Sequence, residues 1–303
     1  MHMKKRTLLL LVVAVLSTSV WNVRAQDSSA RAQELLSKAR QALGGDKKLK
    51  SLQSLALSAK FQRILTEEMQ VDGELEIELL LPDKFKKTET MNLPVGGASI
   101  TRIEGLNGEQ RFSDSRTNST GGGTIMFRKA EDQPQARETA TRATRSDFAR
   151  MVLALTLTSN SSLPLELNYA GEAQSQDGAA DVIEAKGSDG FSVRLFLDKQ
   201  THQPLMLAYR TEQPQVKIMT HKFEGGSKED AEKKAKELEK ANVPQSTPSK
   251  EVDVQLFLSD YKSVDGVMLP HHFSKSIDGK TAEEWDIQKY KVNPPLKADS
   301  FKN

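Results

Sequence analysis

The chain has no cysteine among its 303 residues. That excludes disulfides, thiolate nucleophiles, thiolate metal ligands and lipid attachment through an N-terminal cysteine, so the fold has to stand on its core. Histidine is sparse, with five in all, and no HExxH or His-x-His occurs. His271 and His272 are neighbours, and neighbours on a strand point to opposite faces, where they cannot share an ion. His202 and His221 stand in or near other turns. There is no GxSxG to expose a serine nucleophile. The carboxylate pairs Glu67-Glu68 and Glu283-Glu284 are again adjacent residues, with nothing to gather either pair in a pocket of raised pKa. Lys+Arg and Asp+Glu nearly cancel, 43 against 41, so no field for nucleic acid or anionic lipid is implied. The expectation is a protein without metal, cofactor or catalytic site, and a hydrolase remains only as a residual alternative.

What is present begins with a leader. Lys4-Lys5-Arg6 precede the apolar run Leu8 to Leu16, and Val23-Arg24-Ala25 forms a small-x-small site before Gln26, the pattern of a secretory signal cut after Ala25. The run is short of the ~20 apolar residues of a membrane span, so no stable span is expected after cleavage. Residues 1–25 carry four basic side chains and no acid, and the remainder has a net charge of about −2. Residues 26–303 are expected to form a single exported domain.

Most of that domain reads as antiparallel β. Leu55, Leu57, Ala59 and Phe61 alternate with polar residues, as do Leu75, Ile77, Leu79 and Leu81, the pattern of a sheet with one wet face. Pro82-Asp83 turns into Lys84 to Met91, and a hairpin from Ile100 to Phe112 pivots on Asn107-Gly108. Leu163, Leu165, Leu167 and Tyr169 open a second half, followed by Ala180 to Lys186, Phe191 to Tyr209, Val216 to Phe223, and Val252 to Phe273 with an Asp265-Gly266 turn. The last strand ends at Tyr290, with Trp285 and Ile287 on one face, and Phe301 pins back the tail. About a dozen short strands with few helices between them exclude a doubly wound parallel sheet.

Two amphipathic helices complete the pattern. Ser28 or Ser29 caps a helix to Leu43 with Ala32, Leu35, Leu36, Ala39 and Leu43 on one stripe, ended by Gly44-Gly45. A second runs from Pro134 to about Leu157, with Phe148, Met151, Val152 and Leu155 at helical spacing. Its earlier part bears Arg137, Arg142 and Arg145, placed either to meet an anionic head group or simply to stand in solvent. Asn118 to Gly123 is a glycine-rich loop without the lysine of a phosphate-binding loop. Ser227 to Lys250, within a charged helical insertion at about 225–250, has too few apolar residues to bury much and is dispensable for the core.

The stretches LFLDKQTHQPLMLAYR and LSDYKSVDGVMLPHHF resemble the LDxxTxxPLxxxY and DYKxVDGVxLP turns of outer-membrane lipoprotein-sorting-like proteins, the LolA/LolB-like superfamily. The resemblance implies an α+β, mainly antiparallel curved half-barrel with helices packed on its concave face, enclosing an apolar cavity for acyl chains. It implies a periplasmic binding or transport role, with a lipid or lipoprotein acyl chain as ligand and an envelope protein as a further partner. The residues expected along the cavity wall are Leu75, Ile77, Leu79, Val193, Leu195, Leu197, Val254, Leu256 and Leu258. Alternation alone serves a closed dry core equally well. The competing reading is a non-catalytic cell-envelope interaction module on the same fold.

Overall fold

The computed structural model describes residues 23–66, 69–92, 98–118, 134–159, 163–175, 178–214 and 249–302. The leader core, the glycine-rich loop, Glu67-Glu68, Val216 to Phe223, His221 and the 225–250 insertion up to residue 248 lie outside the described residues. Among the described residues twelve strands form one open antiparallel sheet: β1 (Ser54–Thr66), β2 (Met69–Leu80), β3 (Lys84–Asn92), β4 (Ser99–Asn107), β5 (Gln110–Asn118), β6 (Glu166–Ser175), β7 (Gly178–Lys186), β8 (Ser192–Asp198), β9 (Pro204–Pro214), β10 (Ser249–Val264), β11 (Val267–Ile277) and β12 (Lys280–Val292). The order across the sheet is β5-β4-β3-β2-β1-β12-β11-β10-β9-β8-β7-β6. Consecutive strands are neighbours everywhere except between β5 and β6, which stand at opposite edges. The two halves are joined where β12 returns beside β1, with Leu55 facing Val292 and Phe61 facing Trp285.

The turns follow local chemistry. Asp265 and Gly266 have φ of 50° and 79°, the paired positive angles a type I′ turn demands, which glycine adopts freely and aspartate tolerates. Asp278-Gly279, between β11 and β12, repeats the device at 48° and 77°, a turn the sequence expectations do not include. The β4–β5 turn pivots one residue later than expected, on Gly108-Glu109, with Gly108 alone taking a positive φ. In the β8–β9 turn the Asp198 carboxylate accepts backbone N–H bonds from Gln200 (2.9 Å) and Thr201 (2.6 Å) and the Thr201 hydroxyl (2.9 Å). These bonds, that of the Thr201 N–H foremost, hold its pKa below the usual carboxylate value.

Among the described residues three α-helices accompany the sheet: α1 (Val23–Ala42), α2 (Asp46–Lys50) and α3 (Pro134–Thr156). The first begins before Ser28, not at it. The Ser28 hydroxyl donates to the carbonyl of Tyr169 on β6 (3.1 Å), so it docks the helix instead of capping it. The expected stripe Ala32, Leu35, Leu36, Ala39 and Leu43 is buried throughout. After Leu43 the chain turns under the sheet, where the Met268 N–H donates to Leu43 O (2.9 Å) and Gly44 approaches the Gly266 backbone too closely to admit a Cβ.

Adjacent residues of α3 show that the sheet is curled. Thr144 Oγ1 accepts a bond from Arg111 Nε on β5 (3.0 Å), and Arg145 pairs at 3.5 Å with Asp189 in the β7–β8 turn. On a flat sheet β5 and β7, ten strand spacings apart, would lie ~48 Å from each other at ~4.8 Å per strand. No two neighbouring side chains reach that far. The two arms therefore fold toward each other around α3, giving a curved half-barrel with helices on its concave side. Buried residues of α1, α3 and the inward strand faces form one apolar cluster.

Strand alternation then sorts the connections into two ends. The β1–β2, β3–β4, β7–β8, β9–β10 and β11–β12 connections lie at one end, the mouth. The β10–β11 turn lies at the other, the base, which α1, α2 and the close of α3 seal: Arg40, paired with Asp46, also donates to Leu157 O at 3.4 Å. Phe301 is fully buried, as expected, with the Lys86 ammonium 6.0 Å from its ring.

Candidate functional site

Each of the nine expected wall residues is buried. Leu75, Ile77 and Leu79 on β2, Val193, Leu195 and Leu197 on β8, and Leu256 and Leu258 on β10 belong to the central cluster. Val254 is buried but stands outside it. Their register places all nine on the concave face: Leu195 faces Leu207 on β9, which faces Leu256.

Eight of those side chains share one buried cluster with the apolar half of α3. From Phe148 to Leu157 every residue is buried, Arg150 and Thr156 included. A helix buried on all faces is an interior helix, not a surface one. Phe148 stacks on Phe85 of β3 with ring centroids 5.7 Å apart. Arg150, two residues on, lies 3.8 Å from the Tyr209 ring of β9 and 5.4 Å from Phe191. Its Nη1 donates to Asp147 (2.9 Å), while its buried Nε has no hydrogen-bond partner among the described residues. Burial pushes the Tyr209 hydroxyl up to about 12. The run FARMVLALTL carries this feature in plain view. Helical spacing picks out a stripe of four residues in it, where the whole segment is apolar but for Arg150 and Thr156.

Above this apolar interior, toward the mouth, lies a group of charges absent from the sequence expectations. Arg63 on β1 donates to Glu89 on β3 (2.8 Å) and twice to Glu283 on β12 (2.9 Å each). Lys87 pairs with Glu89 at 2.7 Å, and Trp285 Nε1 donates to Glu283. Gly73 on β2 sits between these strands, and the Phe61 ring fills the place of its missing side chain. Burial alone would raise the Glu89 carboxyl, but Lys87 and Arg63 hold it at about 2. Glu104, burdened chiefly by its own desolvation, is shifted upward. The signal was available in strand parity: Arg63 follows Phe61 by two, Lys87 and Glu89 lie between Phe85 and Met91, and Glu283 precedes Trp285 by two.

The residues considered for chemistry do not converge. His271 Nδ1 lies 3.0 Å from Leu269 O, and His272 Nδ1 lies 2.8 Å from Asp286 on β12. Glu283 is buried in the charged group, while Glu284, next in the strand, points away. Among the described residues no cluster of three or more His, Asp or Glu is arranged to hold a metal ion, and no helix is long and apolar enough to cross a membrane. Arg142 and Arg145 line a cleft at the mouth with Glu138, Thr141 and Asp189.

No family model and no curated protein matches the chain. Among solved structures it is similar to an outer membrane lipoprotein-sorting protein domain from Vibrio parahaemolyticus, at 11% identity and a TM-score of 0.45, over 91% of this chain and 96% of that one. It is similar to a LolA superfamily protein from Nitrosomonas europaea, at 9% identity and a TM-score of 0.42, over 90% of this chain and 97% of that one. A DUF1329 family protein from Desulfovibrio piger has the same identity, TM-score and coverage. At such identities and TM-scores no activity passes from these proteins to this chain.

Proposed function

We propose that this protein is an exported, periplasmic, non-catalytic binding protein that takes a lipid or lipoprotein acyl chain into the concave interior of its half-barrel and carries it. The wall of the loaded site is Leu75, Ile77, Leu79, Val193, Leu195, Leu197, Val254, Leu256 and Leu258. The observation that carries this reading is α3. Among the described residues no backbone hydrogen bond ties it to a strand, yet its apolar half fills the interior.

A helix held by side chains alone can give way to a ligand of similar surface. A sixteen-carbon chain buries ~0.8 kcal/mol per methylene, on the order of 12 kcal/mol in all. Exposing Phe148, Met151, Val152, Leu153, Leu155 and Leu157 costs roughly 2 kcal/mol each, about the same total. A near-even exchange suits a carrier, which has to release what it binds. On this reading the acyl tail lies along the apolar wall and the head group among the charged side chains.

Native mass spectrometry with organic extraction, on protein purified from the periplasm, tests the reading. A stoichiometric adduct of lipid mass is expected. Protein that carries no adduct and fails to take up a fluorescent fatty-acid analogue would sink it.

A further inference from the structure

The mouth contains a cleft of about 280 Å³ between the first half of α3 and the β7–β8 turn, lined by Glu138, Thr141, Arg142, Arg145 and Asp189. The four helical residues are spaced i, i+3, i+4 and i+7, so they share one face. Both guanidinium groups are loosely held. Arg142 is 3.8 Å from Glu138 and Arg145 is 3.5 Å from Asp189, well beyond the ~2.7–2.9 Å of a charge-assisted hydrogen bond. Among the described residues the buried Arg145 Nε has no hydrogen-bond partner, and a buried donor left unmade is costly. The acids matter equally: two positive and two negative side chains leave the cleft neutral, which does not favour a bare anion.

We infer that this cleft holds a zwitterionic phosphodiester head group, with its phosphate between Arg142 and Arg145 and its ammonium against Glu138 and Asp189. The inference rests on the acyl-chain reading, since Phe191 and Val193, both buried, lead from the β7–β8 turn into the apolar interior. Arginine suits the phosphate because its planar fork offers two parallel donors.

The test is competition against the fluorescent fatty-acid analogue by two short-chain phospholipids. Phosphatidylethanolamine is expected to displace it at about tenfold lower concentration than phosphatidylglycerol. Glu138→Gln, and Glu138→Gln with Asp189→Asn, should lose that preference and keep uptake of the analogue. Glu138 is exposed, so the single variant keeps its fold. Glycerophosphoethanolamine should compete where inorganic phosphate does not. Equal displacement by the two lipids, unchanged preference in the variants, or phosphate competing as well as glycerophosphoethanolamine would each overturn the inference and leave the acyl-chain reading standing. Protein that takes up neither the analogue nor either phospholipid would overturn both.

Discussion

Glu89 is ionised inside a protein because two cations meet it there. Its carboxyl is held at about 2 against an ordinary 4.5, so the folded form binds its proton less readily than the unfolded chain. The stabilisation is complete above pH ~4.5 and is lost as pH falls toward 2. Glu104, shifted upward by desolvation, acts in the opposite sense: what it contributes is present at low pH and fades as pH rises above ~4.5. Glu89→Gln is expected to cost on the order of 3 kcal/mol at neutral pH, because Arg63 and Lys87 keep their charge without their partner. Denaturant melts between pH 6 and 2.5 should also show a flatter acid limb in the variant. A second residue-scale prediction concerns Gly73, where an added Cβ would meet the Thr90 carbonyl and the Phe61 ring. Gly73→Ala should therefore destabilise by roughly 1–3 kcal/mol in the same melts.

Among the elements, the strands were the most legible and α3 the least. Two-residue alternation placed the inward residues of β1, β2, β8 and β10 correctly because the sheet has one buried face, and the pleat admits no other register. The same rule applied to Arg63, Lys87, Glu89 and Glu283 puts charges inside, against the general expectation that charge faces water. For α3 the periodicity is helical, as expected, but a helix pattern does not say how many sides are covered. That depends on both arms of the sheet closing round it. Leu153, fully buried in the middle of this segment, makes the difference measurable. Leu153→Ala should cost about 2–5 kcal/mol by urea unfolding. On the exchange mechanism it should also raise the affinity for the fatty-acid analogue, because it weakens the occupant that the acyl chain replaces. Lowered stability with unchanged or weaker uptake would count against displacement of α3.

For the whole molecule, β5 and β6 are the two edges of the sheet among the described residues, and curvature brings the two arms close enough for one helix to bridge them. β9 and β10 pair directly from Pro214 and Ser249 onward, so their register does not depend on the length of chain between them. Deleting residues 227–248 leaves twelve residues to close the hairpin and alters loop-closure entropy by about 0.9 kcal/mol, in favour of the shorter loop. The deleted protein should melt within about 1 kcal/mol of the full chain and take up the analogue equally well. A loss of uptake without a loss of stability would move the binding role to the insertion.

By itself the sequence determined most of the strands, several of the turns and the antiparallel class, because hydrophobic periodicity, Asp-Gly turns and glycine stops act over a few residues at a time. It also settled which side of each strand is apolar. The tertiary structure decided that the interior is occupied by the chain's own helix, and that a balanced set of charges is buried near its mouth. It brought Arg142 and Arg145 opposite Asp189 across an arm of the sheet. Those features depend on residues tens to hundreds of positions apart meeting in a curled sheet, and curvature is a property of the closed assembly that no local pattern carries.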